Sequence, residues 1–222
     1  GDEVVKAGSS IKIGQVYDSN HFTIQSMLKR INVQYIDLGI IPDEKKIIEK
    51  TLKAAEKLSD AIITTGGVSV GKADYMKDIL KKIGKVLFWK LSIKPGRPMA
   101  YGAFKNTPYF GLPGNPVAAM ITFYQLVQPA LKYLMGQDNY KLPILLKAKC
   151  ISPITKRAGR MEFQRGFYTS KNGELSVKPT PYQGSAILSS MSKANCLIVL
   201  DINQKSIKVD DFVNIQLMEG LV

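Results

Sequence analysis

Apolar positions along this chain follow two rhythms, and the change comes near residue 140. Up to that point, short apolar runs alternate with stretches whose apolar residues recur every three or four positions. HFTIQSMLKRI has helical spacing and is preceded by Asp18 and Ser19, either of which can cap it. VQYIDLGII reads as a buried strand closed by Pro42. A helix is expected from Asp43 to about Leu58, with Ile47, Ile48, Leu52, Ala55 and Leu58 on one face. DAIITT is a strand, a glycine-rich loop follows, and a helix runs from about Asp74 to Ile83. KVLFWKLSI is read as one strand, with MAYGAF and PYFGLP as two shorter ones. GNPVAAMITFYQLVQPALKYLMG is a helix, apolar nearly all round, with Asn115 as its cap and Pro116 in its first turn. Strands that alternate with helices in this way predict a three-layer αβα unit around a mostly parallel sheet.

From KLPILLKAKC onward the runs are short and alternating, and no long helix appears. GFYTSKNGELSVKP is a hairpin turning at Lys171, Asn172 and Gly173. NCLIVLDINQKSIKVDDFVNIQLM supplies two or three more strands. The expectation is two domains: an α/β domain over residues 1–138, and a small all-β barrel over 139–222.

Composition changes little in this picture. The 222 residues are 45% hydrophobic and 22% charged, ordinary for a globular protein. No apolar run is long enough to span a bilayer, so no membrane is expected. Cys150 and Cys196 fit no metal spacing and read as buried thiols in a reducing cytoplasm. The net charge of +13 admits a nucleic acid, a membrane surface or a small anion. The lysines are scattered along helical stretches beside acidic neighbours, as on solvated faces. The five arginines are Arg30, Arg97, Arg157, Arg160 and Arg165, and four of them lie near glycines or prolines. That clustering favours a local anion site, and no nucleic-acid-binding motif accompanies it.

The stretch TTGGVSVGKADYMKDIL places glycines between a strand and a helix, with a carboxylate at the helix start. Such a turn aims backbone N–H groups at an anion, although a plain strand-to-helix connection has the same look. It lacks the lysine ending of a P-loop and the spacing of a dinucleotide fingerprint. Asp43 and Asp74 both follow strands, where carboxylates can hold magnesium through water or simply cap helices. In WKLSIKPGRP, alternation sets Lys90, Ser92 and Lys94 on one strand face. Lysines there meet either an anion or, on an edge strand, solvent. GLPGNP repeats the sequence of strand, glycine turn and helix. Most of that helix reads as structural; the candidate phosphate-binding set is Gly66, Gly67, Ser69, Gly71 and Arg97, with Pro113, Gly114 and Asn115 included at the second turn.

Three stretches, TTGGVSVGKADYMKDIL, KLSIKPGRPMAYG and YFGLPGNPVAAMITFYQLVQPAL, resemble the molybdopterin molybdenumtransferases of the bacterial MoeA type, to which the E domain of gephyrin also belongs. GRMEFQRG and QGSAILSSMSKANCLIVL carry the resemblance into the β part, so it covers essentially the whole chain. It implies an α/β domain followed by a β-barrel, and an enzyme that takes adenylylated molybdopterin and molybdate, with magnesium, and yields molybdenum cofactor and AMP. Asp43, Asp74, Lys90 and Lys94 match positions implicated in activity, and Arg165 and Ser185 match positions in the β part that extend the substrate-binding set. Molybdopterin adenylyltransferases usually carry GGTG where this chain has GGVSVG, which argues against that activity. A non-catalytic gephyrin-like scaffold is the reading from another class. The family is dimeric, and an adenylyltransferase is a candidate partner. Its members also have further N-terminal domains and an apolar strand upstream of the segment matching GDEV, so a fragment with an exposed sheet edge and an incomplete site is expected.

Overall fold

The computed structural model describes residues 2–68, 74–137 and 143–218. A short parallel pair opens the chain, β1 (Val4–Val5) beside β2 (Val16–Tyr17). Helix α1 (Ser19–Arg30) follows, and Asp18 caps it: the Asp18 carboxylate accepts from the His21 N–H at 2.9 Å. Helix α2 spans Lys45–Leu58, so Asp43 lies just ahead of it rather than inside it. Strand β3 (Ile62–Thr65) and helix α3 (Asp74–Ile83) flank the glycine turn. Then come β4 (Lys85–Lys90), β5 (Ile93–Lys94), β6 (Pro98–Phe104) and β7 (Thr107–Leu112).

Four of these strands form one sheet in the order β3-β7-β6-β4. Alternation along its strands feeds two cores, one on each face. On one side Ala100, Phe104, Tyr109 and Ile62 meet Leu52 and Ala55 of α2 and Met76, Ile79 and Leu80 of α3. On the other, Met99, Phe110 and Leu112 meet Ile24, Met27 and Leu28 of α1 and the helix that follows β7. Three layers result. The strand directions differ from a mostly parallel sheet. β3–β7 is the parallel pair, whereas β6–β7 and β4–β6 are antiparallel. The reason is local: only Lys105 and Asn106 separate β6 from β7, enough for a hairpin and far too few for a crossover.

Two other sequence expectations change. VQYIDLGII forms no strand, and Tyr35, Ile36 and Leu38 are exposed. Strands persist through ladders, and among the described residues this segment makes none, leaving β3 as an edge strand paired only with β7. The long apolar helix is also interrupted. α4 (Pro116–Thr122) passes into a π-helical turn at Phe123–Val127 and then α5 (Gln128–Leu134). Pro129 has no N–H to offer the carbonyl of Gln125, which favours the widened turn just before it.

The β part closes on itself. β8 (Leu146–Cys150), β9 (Met161–Lys171), β10 (Glu174–Pro179), β11 (Cys196–Leu200) and β12 (Phe212–Leu217) run in the order β10-β8-β12-β11-β9, and β9 pairs back onto β10. The β9–β10 hairpin turns at Asn172 and Gly173, both at positive φ, as a two-residue turn requires. Ala148, Cys150, Val177, Cys196, Ile198, Val213 and Ile215 fill the barrel. One strand comes from outside it: β5 joins the barrel sheet, pairing in parallel with β9.

Both cysteines are fully buried and free. Burial pushes the Cys196 thiol from its ordinary 9.0 up to about 12. In the unfolded chain it ionises near 9, while in the folded one it stays protonated. The stability this difference contributes is whole below about pH 9 and is lost as pH rises through about 12. Titration with a thiol reagent should therefore find no reactive cysteine in the native protein and two after denaturation. Fast reaction under native conditions would contradict the packing of the barrel.

Candidate active site

Two glycine turns meet at the ends of the parallel pair. After β3, Gly66 and Gly67 adopt φ of +79° and +70°, a region that residues with a side chain rarely enter. The Gly66 N–H donates to the Leu112 carbonyl at 3.0 Å, tying this turn to the end of β7. The second turn, Pro113-Gly114-Asn115, lies beside it: a Cβ built on Gly114 would stand 3.7 Å from the Gly66 Cα. Ser69 and Gly71 lie outside the described residues, and Asp74 is placed by backbone alone, as the first residue of α3.

Asn115 takes the cap position of α4, but its side chain does not cap the helix. Its amide donates instead to the Ser185 hydroxyl at 3.0 Å, and the Val117 N–H donates to the Ser185 carbonyl at 3.0 Å. A loop of the barrel thus satisfies the helix start. Arg165 stands behind that loop. It is 1% exposed, so its guanidinium does not reach the open surface. Nη2 donates to the Gly184 carbonyl at 3.2 Å and Nε to the Ser190 hydroxyl at 3.1 Å. Burial lowers its pKa to about 10, which leaves it charged at neutral pH. Of the two β-part residues implied by resemblance, Ser185 reaches the turn directly and Arg165 supports it from within.

Asn20 belongs here too, although its sequence context shows only a helix start. Its amide nitrogen donates to the Gly114 carbonyl at 2.8 Å. Its Oδ1 is buried and has no partner. The signal available in the sequence was an asparagine right after a capping Asp18-Ser19 pair, a place where a helical residue with an amide has no structural need.

Lys90, Ser92 and Lys94 do not share one strand face. β4 ends at Lys90, and Lys94 sits in the barrel sheet. The loop between is pinched by the Leu91 N–H donating to the Arg97 carbonyl at 2.9 Å. Lys90 and Arg97, both exposed, mark its neck, and Lys94 its far end. The Pro95-Gly96 turn presses on α4: a Cβ on Gly96 would come within 2.5 Å of the Thr122 methyl.

Lys94 lines a cavity of about 180 Å³ with Lys156, Arg157, Arg160 and Glu162. Four cations face one carboxylate there. Lys156 is 4% exposed and donates to the carbonyls of Gln204 and Arg157 at 2.7 and 3.3 Å. Such a cavity attracts an oxyanion, which suits planar guanidinium groups in particular. Asp43 is at some remove in the chain. Its N–H donates to a carboxylate oxygen of Asp2 at 3.2 Å, and the Asp2 N–H donates back to the Asp43 carboxylate at 3.4 Å. Among the described residues, no group of three or more His, Cys, Asp or Glu converges as a metal cage.

Residues 1–133 match the family described as probable molybdopterin binding domain, and residues 147–218 match the MoeA C-terminal region (domain IV). The molybdopterin molybdenumtransferase of Haemophilus influenzae is 44% identical over 217 residues, covering 97% of this chain and 54% of that protein. Gephyrin of Dictyostelium discoideum is 33% identical, covering 90% of this chain and 33% of that protein. The crystal structure of the molybdopterin biosynthesis moeA protein from Pyrococcus horikoshii OT3 superposes with a TM-score of 0.75 at 27% identity, over 98% of this chain and 51% of that one. The chain spans about half the length of the molybdenumtransferases it matches.

The contact between Asn20 and Gly114 yields a sharp contrast between two substitutions. Asn20→Ala removes one hydrogen bond and should lower stability by about 1 kcal/mol. Asn20→Asp sets a buried carboxylate against the Gly114 carbonyl and should cost about 2–4 kcal/mol. Urea denaturation of both variants measures the difference. Equal effects would show that the amide does not donate to Gly114.

Proposed function

Because the chain belongs to the MoeA-type molybdopterin molybdenumtransferase family, joining a molybdopterin-binding domain to the MoeA C-terminal region, we propose that it carries much of the site at which molybdate enters adenylylated molybdopterin and AMP is released. The observation that supports this reading is the meeting of two glycine turns at the start of α4, together with a basic cavity lined by Lys94, whose neighbouring Pro95-Gly96 turn packs on the same helix. Where the Gly66-Gly67 and Gly114-Asn115 turns meet, the glycines' lack of side chains lets a phosphate approach the backbone closely, while the Gly66 and Val117 N–H groups are engaged by Leu112 and Ser185. The cavity of Lys94, Arg157 and Arg160 suits a compact oxyanion such as molybdate. Lys90 and Arg97, at the neck of the loop between, would balance the remaining phosphate charge. The contribution of these groups is positioning and electrostatic: they hold the phosphoanhydride and the oxyanion in fixed relation while the bond to AMP breaks.

Magnesium belongs to this reading as a cofactor. Asp43, just ahead of α2, and Asp2 lie within hydrogen-bond reach of each other's backbone. One or two carboxylates completed by water and substrate phosphate is the usual way magnesium is held. Asp43 and Asp74 are the residues we assign to it, and when bound it would neutralise charge on the phosphates. The proposal extends to a homodimer in the cytoplasm, supplied with substrate by a molybdopterin adenylyltransferase. The free buried thiols support a reducing compartment. Among the described residues, no helix is long and apolar enough to cross a membrane.

The test is molybdate-dependent release of AMP from adenylylated molybdopterin by the intact protein. Gly67→Val forces a β-branched residue to φ near +70°. It should raise the Kd for the adenylylated pterin about tenfold or more. The melting temperature should fall only by the few degrees that about 1–2 kcal/mol of left-handed strain implies. Unaltered affinity in the folded variant would remove the turn from the site. AMP release independent of molybdate would overturn the assigned reaction.

A further inference from the structure

Glu162 is unusual among the acidic residues of this protein. It is 3% exposed, in a strand beside a cavity whose other charged groups are all cations. Burying a carboxylate is unfavourable unless other groups hold it. Here two do. The Gln164 amide donates to Oε2 at 2.9 Å, and Lys94 Nζ lies 3.3 Å from Oε1 and 3.4 Å from Oε2. The Gln164 amide is in turn 3.4 Å from the Thr155 carbonyl, on the cavity wall.

The backbone sets the two residues side by side. Lys94 and Glu162 are register partners where β5 pairs with β9. The ammonium and the carboxylate are therefore brought together by the same ladder that fixes β5 on the barrel. The asymmetry between them is informative: the Lys94 side chain is 48% exposed and that of Glu162 only 4%. The buried partner is the anchored one, and the lysine is the group that reaches into the cavity. An ammonium has three donors, and with the two carboxylate oxygens on one side it keeps capacity for an acceptor on the other. Long lysine side chains otherwise sample many rotamers, and ordering one on binding weakens affinity. Arg157 and Arg160 line the same cavity, and among the described residues Glu162 is the one carboxylate in its lining.

We propose that Glu162, braced by Gln164, is a positioning residue that holds the Lys94 ammonium pre-aimed at the oxyanion. This rests on the reading that Lys94 meets an oxyanion, and it adds a residue that never touches substrate. The carboxylate also limits the net positive charge of the empty cavity, so that the cations stay within one small volume before an anion arrives.

The test uses the intact protein and has two arms. In the first, no ligand is present, and NMR relaxation reports the order of the Lys94 side chain. It should be ordered in the parent protein and mobile in Glu162→Gln, with Glu162→Asp between. A Lys94 side chain equally mobile in parent and variant overturns the proposal. In the second, calorimetry follows binding of molybdate alone. Glu162→Gln should raise the Kd about tenfold, as expected for a misplaced charge-assisted hydrogen bond. In a Lys94→Ala background the same change should have no further effect. Additive effects would mean that Glu162 acts on folding rather than through Lys94, and would overturn the proposal. If Lys94 loses order in Glu162→Gln while the parent protein binds no molybdate, the positioning role stands and the oxyanion reading fails. Thermal melts of each variant separate these outcomes from unfolding.

Discussion

The structure depends on one helix that has no solvent face. Val117 through Thr122 are all buried, six residues in succession. Such a helix is stable only if apolar partners surround it. Here they come from both halves of the chain. Met99, Phe110 and Leu112 of the four-stranded sheet, Ile24, Met27 and Leu28 of α1, and Phe163, Leu197, Val199 and Met218 of the barrel share one core with it. The α/β unit and the barrel are thus two sheets that both close on α4. Even its polar group is internal, since the Thr122 hydroxyl donates to the Ala118 carbonyl at 2.8 Å.

Such a helix still has a start to satisfy and neighbours to seat, and the polar contacts between the two halves gather there. The start takes its acceptor from Ser185, so the Gly114-Asn115 turn is held by a barrel loop rather than by its own asparagine. Farther along, Thr122 limits the space over Gly96, which sets how closely the Lys94 loop approaches. Gln125 donates to Gln216 of β12 at 2.8 Å across the same seam. Helix α4 is the part of the molecule on which both halves pack, and it seats both the Gly114-Asn115 turn and the Pro95-Gly96 turn.

Much of this was legible in the chain, and the failures share a cause. Strand and helix order, the barrel, the hairpin at Asn172-Gly173 and the Asp18 cap all rest on local periodicity or turn chemistry, which a sequence displays directly. KVLFWKLSI was misread as one strand because alternation is identical whichever sheet receives the residues. Only tertiary pairing reveals that Lys94 has left the sheet of Lys90. Asn115 was expected to cap because it has the right type and place, but a closer acceptor from a distant loop displaced it. VQYIDLGII has a strand's composition, yet composition does not provide a ladder. Glu162 and Asn20 were passed over since a carboxylate in a basic stretch and an asparagine at a helix start usually face water. Their burial comes from contacts 68 and 94 residues away.

The excursion of Ile93 and Lys94 into the barrel sheet bears on how the molecule comes apart. The chain leaves one sheet at Lys90, supplies two residues to the other, and returns at Pro98. A cut at the boundary expected near residue 138 would separate the sequences but not the structures, because the barrel would lose its sixth strand and keep its apolar seam exposed. Hydrogen exchange at the Ile93 and Lys94 amides should follow the barrel rather than the strand that precedes them in sequence. A shared core and a shared strand should make the two halves unfold together despite their different architectures, and a barrel expressed alone should be less stable than the one seen here.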